Sequence, residues 1–294
     1  MNQRERGFLL LTSRLGNPER KVLTVAQLRT LALRMQASEP PAEDRDLRES
    51  DLTAMGFDRE LSGRIVSLLD EGELLERYIA GAEAQNCVPI TRVSDEYPPI
   101  LRQRLGLDSP GCLWARGDTA ILNTPAISLV GCRALSEPNR EFAAAVGRQA
   151  AEQGLTLVSG NARGADRAAQ EACLRAGGRV ISIVADCLNR VPPRNLLYLS
   201  EDGFDEEFSA QRALSRNRCI HALGRVVFVA QSELHKGGTW SGTVKNLRFG
   251  WSPVVCFRDG SEAASQLEQM GAYQIGLEDL GDFSGLQMPD NLLW

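Results

Sequence analysis

The sequence predicts an α/β fold built on a mostly parallel sheet, with a small helical domain ahead of it. Three features carry that expectation. From Val88 onward, short β-branched runs alternate with alanine-rich helical stretches, the pattern of repeated strand–helix–strand units. Residues up to about Gln85 show helical periodicity without strand-like runs. Within the second texture, Val158-Ser159-Gly160-Asn161-Ala162-Arg163-Gly164-Ala165-Asp166 passes from a strand into a helix through two glycines. A turn of that kind marks the phosphate-cradling loop of a Rossmann-like domain, because its backbone amides and the positive helix end face the same anion.

The elements follow in order. Residues 1–6 are charged and residues 7–11 apolar, but Thr12, Ser13 and Arg14 interrupt the apolar part and no small-residue cleavage site follows. This reads as the first helix of a cytoplasmic protein, not as a leader. Thr24 is placed to cap a helix that sets Val25, Leu28, Ala32 and Leu33 on one face. The acidic, proline-rich residues 38–44 break it, and amphipathic segments resume at 61–69 and 74–79. Strands are expected at 126–130, 156–159, 180–184, 226–229 and 254–257. Helices are expected at 141–153 and 165–176, the second turning Ala169, Cys173 and Ala176 toward the sheet. No apolar run approaches the ~20 residues needed to span a bilayer, so no membrane segment is expected.

Composition narrows the function. Among 294 residues, 43% apolar and 24% charged, the formal charge is −5. Such a balance excludes a chain that coats nucleic acid with its whole surface, so a polyanion site must be local. Lysine is confined to Lys21, Lys236 and Lys245 among 33 basic residues. Seven cysteines lie far apart without a C-x-x-C pair, and there are two histidines. Neither a metal site nor a disulfide framework is indicated, and no cofactor is expected.

Chemistry is expected in the loops after the strands, where open parallel sheets bind ligands. The first offers Gly131 and Arg133 ahead of Ser136. The second offers Ser159, Gly160, Arg163, Gly164 and Asp166, with the Ser159 hydroxyl as an added donor; it is neither a G-x-G-x-x-G fingerprint nor a Walker A loop. A third, Ser215-Arg216-Asn217-Arg218, reads as the end of a polar loop suited to phosphate or base-edge contacts, with His221 behind it as a packed residue. The run Lys236-Gly237-Gly238-Thr239-Trp240-Ser241-Gly242-Thr243 reads as a glycine-rich loop around a phosphate or sugar. Within it Trp240 either stacks on a base or anchors the loop by packing.

Taken in this order, the loops resemble the DprA/Smf family of DNA-processing proteins. The similar residues are Tyr97-Pro98 with Leu101, then Asp108, Pro110, Leu113 and Gly117; Val130-Gly131 and Arg133 with Ser136; Ser159-Gly160, Ala162-Arg163-Gly164 and Asp166; and Arg216-Asn217-Arg218. The similarity is clear over residues 86–257 and weaker in the tail, around Leu267-Glu268 and Gly271-Ala272. It implies a small helical, SAM-like domain over 1–85 and an extended Rossmann-like domain over 86–294. It also implies a homodimer that binds single-stranded DNA without catalysis and hands it to a RecA-type recombinase. By position the DNA contacts would be Arg133, Ser159, Gly160, Arg163, Gly164, Arg216, Asn217, Arg218 and Lys245, to which the reading of the loops themselves adds Gly131, Asp166, Gly238 and Thr239. Four departures stand out: Gln170 replaces a family histidine, Asn139 a glycine, and Val191 the tyrosine before Pro192-Pro193, while Gly237-Gly238-Thr239-Trp240 replaces an S-G-S-L loop. The family's winged helix is not expected, since only about 35 residues follow the last strand.

Other functions share these loops. The departures leave open a regulatory or antitoxin component of a phage-defence pair with a cognate toxin. A regulatory module holding a mononucleotide would use the same cleft. A LOG-like nucleotide phosphoribohydrolase would need a carboxylate after the glycine run, where Thr243 is followed by Val244-Lys245-Asn246.

Overall fold

The computed structural model describes residues 1–38, 46–191 and 195–283. Of the segments read above, Pro192-Pro193 and most of 38–44 lie outside the described residues. Five helices come first: α1 (Gln3–Thr12), α2 (Val25–Ala37), α3 (Glu49–Ala54), α4 (Arg59–Leu69) and α5 (Gly72–Glu83). Asn2 and Thr24 open α1 and α2 with reciprocal capping boxes. In each, the cap side chain accepts from the amide three residues on, while Glu5 or Gln27 accepts from the cap's own amide.

The buried edge of α2 is not the expected one. Leu31 is 3% exposed and Leu28 is half-buried, whereas Val25 and Leu33 are 48% and 56% exposed and Ala32 is exposed too. Leu31 joins Leu11, Leu23, Leu52, Phe57, Ile65 and Leu68 in one apolar cluster. Periodicity defines a stripe, but which edge of it is covered depends on where α3 and α4 sit, and that is not written in α2. By contrast, α1 and α5 face the sheet. Their Leu9, Leu10, Leu75, Tyr78 and Ala82 share a core with Trp114 and Phe204, the Tyr78 and Trp114 rings meeting edge-on at 5.2 Å.

Nine strands form one sheet: β1 (Cys87–Thr91), β2 (Cys112–Arg116), β3 (Ala126–Val130), β4 (Thr156–Ser159), β5 (Arg179–Ile183), β6 (Leu197–Ser200), β7 (Val227–Val229), β8 (Val254–Phe257) and β9 (Tyr273–Ile275). Their spatial order is β1-β2-β6-β5-β4-β3-β7-β8-β9. From β6 across to β9 every pairing is parallel, and the antiparallel β1 and β2 extend one edge. The five expected strands are all present within a residue at each end. The other four are short or carry polar and proline residues, which dilutes the apolar run that marks a buried strand.

Helices cover both faces: α6 (Pro99–Leu105), α7 (Glu137–Glu152), α8 (Ala165–Arg175), α9 (Ala210–Ser215), α10 (Asn217–Leu223), α11 (Gly237–Phe249) and α12 (Glu262–Gln269). One face buries Phe142, Val146, Ala169 and Cys173 of α7 and α8 against Ile127, Leu129 and Leu157. The other buries Leu101, Ile220, Leu223, Trp240 and Leu267 against Val130, Val158 and Ile181. Neighbouring residues of one strand thus serve opposite layers, which is why these strands read as unbroken apolar runs. Three local expectations are corrected. Pro138, which needs no amide partner in a first turn, lets α7 begin at Glu137 instead of 141. Ala176 is exposed at the end of α8, where the chain has already left the sheet. Gly237 to Thr243 is helix, not loop, because the glycines fall at a helix start, where little side chain is needed.

From β3 the chain winds outward through β4, β5 and β6, then returns to lay β7 on the other side of β3. The connections after β3 and β7 therefore diverge and open a crevice at the strands' carboxyl ends.

The reassigned face of α2 has a direct check in urea unfolding. Leu31→Ala should cost about 2–4 kcal/mol; Leu33→Ala should stay within about 0.5 kcal/mol.

Candidate functional site

A cleft of about 490 Å³ lies at that crevice. Its floor is the end of β3, Val130 to Arg133, together with Ala162 and Asp166 of the turn into α8. Its sides are α9 and the start of α10, and, across from them, Lys236 to Thr239 at the start of α11. Seven of the expected residues line it: Gly131, Arg133, Asp166, Arg216, Asn217, Gly238 and Thr239.

The turn from β4 into α8 is held by contacts that leave no spare room. Gly164 adopts φ +84°, a region costly for any residue with a side chain, and a Cβ there would overlap the carbonyl oxygens of Cys132 and Arg133. The Ala165 amide completes the join by donating to Cys132 O at 3.2 Å. A Cβ on Gly131 would likewise strike Ala165. At Gly160 that space is filled by the Arg216 guanidinium on one side and Asp166 on the other, the nearest Oδ2 falling 2.5 Å from where a Cβ would lie.

Ser159 is not a donor to the cleft. It is fully buried, its hydroxyl accepting from Gln170 Nε2 at 2.7 Å. Gln170, 1% exposed, also donates to Gly160 O, which accepts from Ser182 Oγ at 3.0 Å as well. The departure at position 170 thus supplies an amide that ties β4, β5 and the turn together, a task that the sequence alone did not reveal.

Asp166 and Arg216 form a buried, oppositely charged couple beneath the turn. Burial pushes the Asp166 carboxyl up to about 6, against the pull of Arg216 and of the Ala162 amide, which donates to Oδ2 at 3.2 Å. Burial draws Arg216 below its usual range while Asp166 pulls the other way. Arg216 Nη1 donates to Ile183 O at 2.8 Å, and its Nε has no partner among the described residues. Asn217 donates to Gly238 O at 3.1 Å, linking α10 to α11 across the cleft.

The remaining candidates fall elsewhere. Arg218 is turned away and used up: it donates to Asp108 O at 2.9 Å and Ser215 O at 2.7 Å, and pairs with Glu201 at 2.8 Å. Lys245 is exposed on α11 but does not line the cleft, and Arg163 is exposed on the outside of its turn. Trp240 is 8% exposed and packs in the core with its edge against His235, so it anchors α11 and offers no face to a base. His221 is fully buried, accepts or donates with Asn246 at 3.2 Å, and is pushed down to about 3, which keeps the imidazole neutral. Arg216 and Asn217 belong to consecutive helices, not to a polar loop.

Lys236, half of the lysine content of this half of the chain, was missed as a cleft residue. It lines the cleft one position before α11, and the glycines after it could have flagged a helix start. Arg133 and Lys236 are both exposed and have no ion pair or side-chain hydrogen bond among the described residues. At Lys236, α11 opens without a side-chain cap, in contrast to the satisfied starts of α4, α9 and α12 at Asp58, Ser209 and Ser261, whereas at α8 the Ala165 amide is taken by Cys132 O. Uncapped first-turn amides carry the positive end of the helix dipole. Among the described residues no cluster of metal-ligating side chains occurs and no helix is long and apolar enough to cross a membrane.

Fold and cleft together define an open α/β protein with a crevice lined by Arg133 and Lys236 at its topological switch point. Residues 89–279 match the DNA recombination-mediator protein A family, and the chain belongs to it. This is the DprA/Smf family that its loops resemble. It is 33% identical over 183 residues to DNA processing protein DprA of Streptococcus pneumoniae, covering 58% of this chain and 60% of that one. To Protein Smf of Escherichia coli it is 30% identical over 175 residues, covering 55% and 46%. The chain thus spans only about half to three-fifths of these curated relatives. Among solved structures, that of S. pneumoniae DprA shares the fold, with a TM-score of 0.71 at 24% identity, covering 94% of this chain and 95% of that one. A Helicobacter pylori DprA structure, described for its single-stranded DNA binding mode, aligns with a TM-score of 0.55 at 25% identity, covering 66% and 92%.

The Asp166 carboxyl gives a pH test. A folded-state value near 6 against an ordinary 3.8 means that the native state holds the extra proton between these values. Its contribution is therefore neutral below about pH 4 and increasingly unfavourable as pH rises to about 6. Relative to the parent, Asp166→Asn should gain about 1–3 kcal/mol between pH 4 and pH 7 in urea titrations. No change in that difference would show that the carboxyl ionises normally.

Proposed function

We propose that the cleft binds single-stranded DNA through its phosphates, without cleaving it, as part of DNA processing in recombination. The observation that carries this reading is the convergence of Arg133, Lys236 and the uncapped start of α11 on one crevice. Family membership supports DNA processing, and the H. pylori relative's described binding mode supports the single strand as ligand. With the whole chain at −5, cations that hold a strand must act locally, and Arg133 and Lys236 lie in one cleft. Gly131, Gly160 and Gly164 shape the backbone; Arg133, Lys236, Gly238 and Thr239 face the strand; Arg216 and Asp166 set the charge beneath it. We assign to the chain the homodimeric state and the delivery of the strand to a RecA-type recombinase. Residues 1–85 we take as an accessory helical domain, attached through α1 and α5.

Among the described residues, the cleft's buried acid has no free base beside it. Asp166 is occupied by Ala162 and Arg216, and His221 is neutral and enclosed. Incubation with nucleoside monophosphates should release no free base; release that disappears in Asp166→Asn would establish a hydrolase instead.

Binding should follow the cations. In anisotropy titrations with an unstructured oligonucleotide at two salt concentrations, Arg133→Ala/Lys236→Ala should weaken binding about tenfold or more and flatten the log–log salt slope by about 1.4. Lys245→Ala should leave both nearly unchanged. Equal affinity and slope in the double variant and the parent would remove the cleft from the binding site.

A further inference from the structure

The cleft has two unlike walls. Arg133, Lys236 and the start of α11, with Glu233 beside Lys236, form the charged one, and the other is apolar, made of Phe208, Ala210, Ala213 and Leu214. Phe208 and Leu214 are 54% and 53% exposed. Most aromatic rings of this chain are buried in its two sheet-face cores. The other widely exposed phenylalanine, Phe249, stacks on Trp251 and carries Arg248 over its ring. Phe208 has no ring or cation partner among the described residues. Phe208 and Leu214 expose apolar surface together within one crevice, and such grouped surface, unlike a lone exposed side chain, marks a ligand groove.

Local folding does not account for that exposure. Phe208 precedes Ser209, the cap of α9, where an apolar residue commonly staples to the fourth helical residue. That residue is Ala213, whose methyl covers little of a ring. Nor is the ring on a loose segment. Arg212 gathers the chain ahead of it, donating to Glu206 O and Glu207 O at 2.7 Å each, to Ala185 O at 3.1 Å and to Ser200 Oγ at 2.9 Å. Its Nε pairs with Asp202 at 2.9 Å. The ring is held in the cleft by a network that does not cover it.

We propose that Phe208, backed by Leu214, is a base-stacking platform, and that the cleft therefore selects unpaired strands: phosphates lie along Arg133 and Lys236 while a base stacks on the opposite wall. This rests on the single-strand reading above. A duplex satisfies the phosphate wall, but its bases are already stacked and paired and present no face to Phe208. Every base has such a face, so the platform adds affinity without sequence preference.

The test compares three ligands of about 20 nucleotides, oligo-dT, the same backbone with abasic sites, and a blunt duplex, on the parent, Phe208→Ala, Phe208→Trp and Arg133→Ala/Lys236→Ala. Phe208→Ala should weaken oligo-dT about tenfold and leave the abasic strand and the duplex unchanged. Phe208→Trp should restore oligo-dT binding, with indole fluorescence quenched by oligo-dT and not by the abasic strand. Equal effects on oligo-dT and the abasic strand, or none on either, would overturn the platform. In that event continued weakening of both strands by the double cation variant would leave the phosphate reading standing. A parent that binds neither strand would overturn that reading itself. Since Phe208 is more than half exposed, its removal does not threaten the fold.

Discussion

At the centre of the sheet two loops touch backbone to backbone. The turn after β4 meets the loop after β3 so closely that Gly164 has carbonyl oxygens where a side chain would be, and the Ala165 amide bonds to Cys132 O. Everything at the cleft depends on that join. It fixes the start of α8 against the end of β3, where Arg133 lies, and at Gly160 the space of a side chain is taken by the Arg216 guanidinium. Parallel topology makes the crevice, because the chain reverses its winding between β3 and β7, and the glycines let the two loops approach.

Charge is layered around this join. At the floor of the cleft, Asp166 and Arg216 offset each other, each displaced from its ordinary titration by burial and drawn back by the other. At the surface Arg133 and Lys236 stand free. Such an arrangement suits a ligand held by several weak phosphate contacts more than one held by a single buried pair, since exposed cations give up counterions and little desolvation energy on binding. The apolar wall opposite them adds a contact that salt does not screen.

Much of this was legible from the residues. Five strands, the turn at Ser159 to Asp166, and the family resemblance carried by Arg133, Gly164 and Arg216 all follow from apolar runs and from glycines at strand ends. Residue type did not reveal direction. Ser159 looked like a donor to the cleft, yet Gln170 claims its hydroxyl; Arg218 looked like the twin of Arg216, yet Glu201 and two carbonyls take its donors. Trp240 could have stacked on a base by its size, yet α11 turns it inward against the core. Each miss is a matter of which face of an element is covered, and that is decided by neighbours distant in sequence.

The proposed strand-binding site is one crevice, at the β3–β7 switch. Hydrogen–deuterium exchange with and without saturating oligo-dT tests it most directly, because backbone amides form much of the surface. Protection should concentrate at residues 131–133, 160–166 and 236–239, with none around Lys245 or at the outer face of Arg218. Protection that leaves those three segments unchanged and gathers on another surface would contradict it.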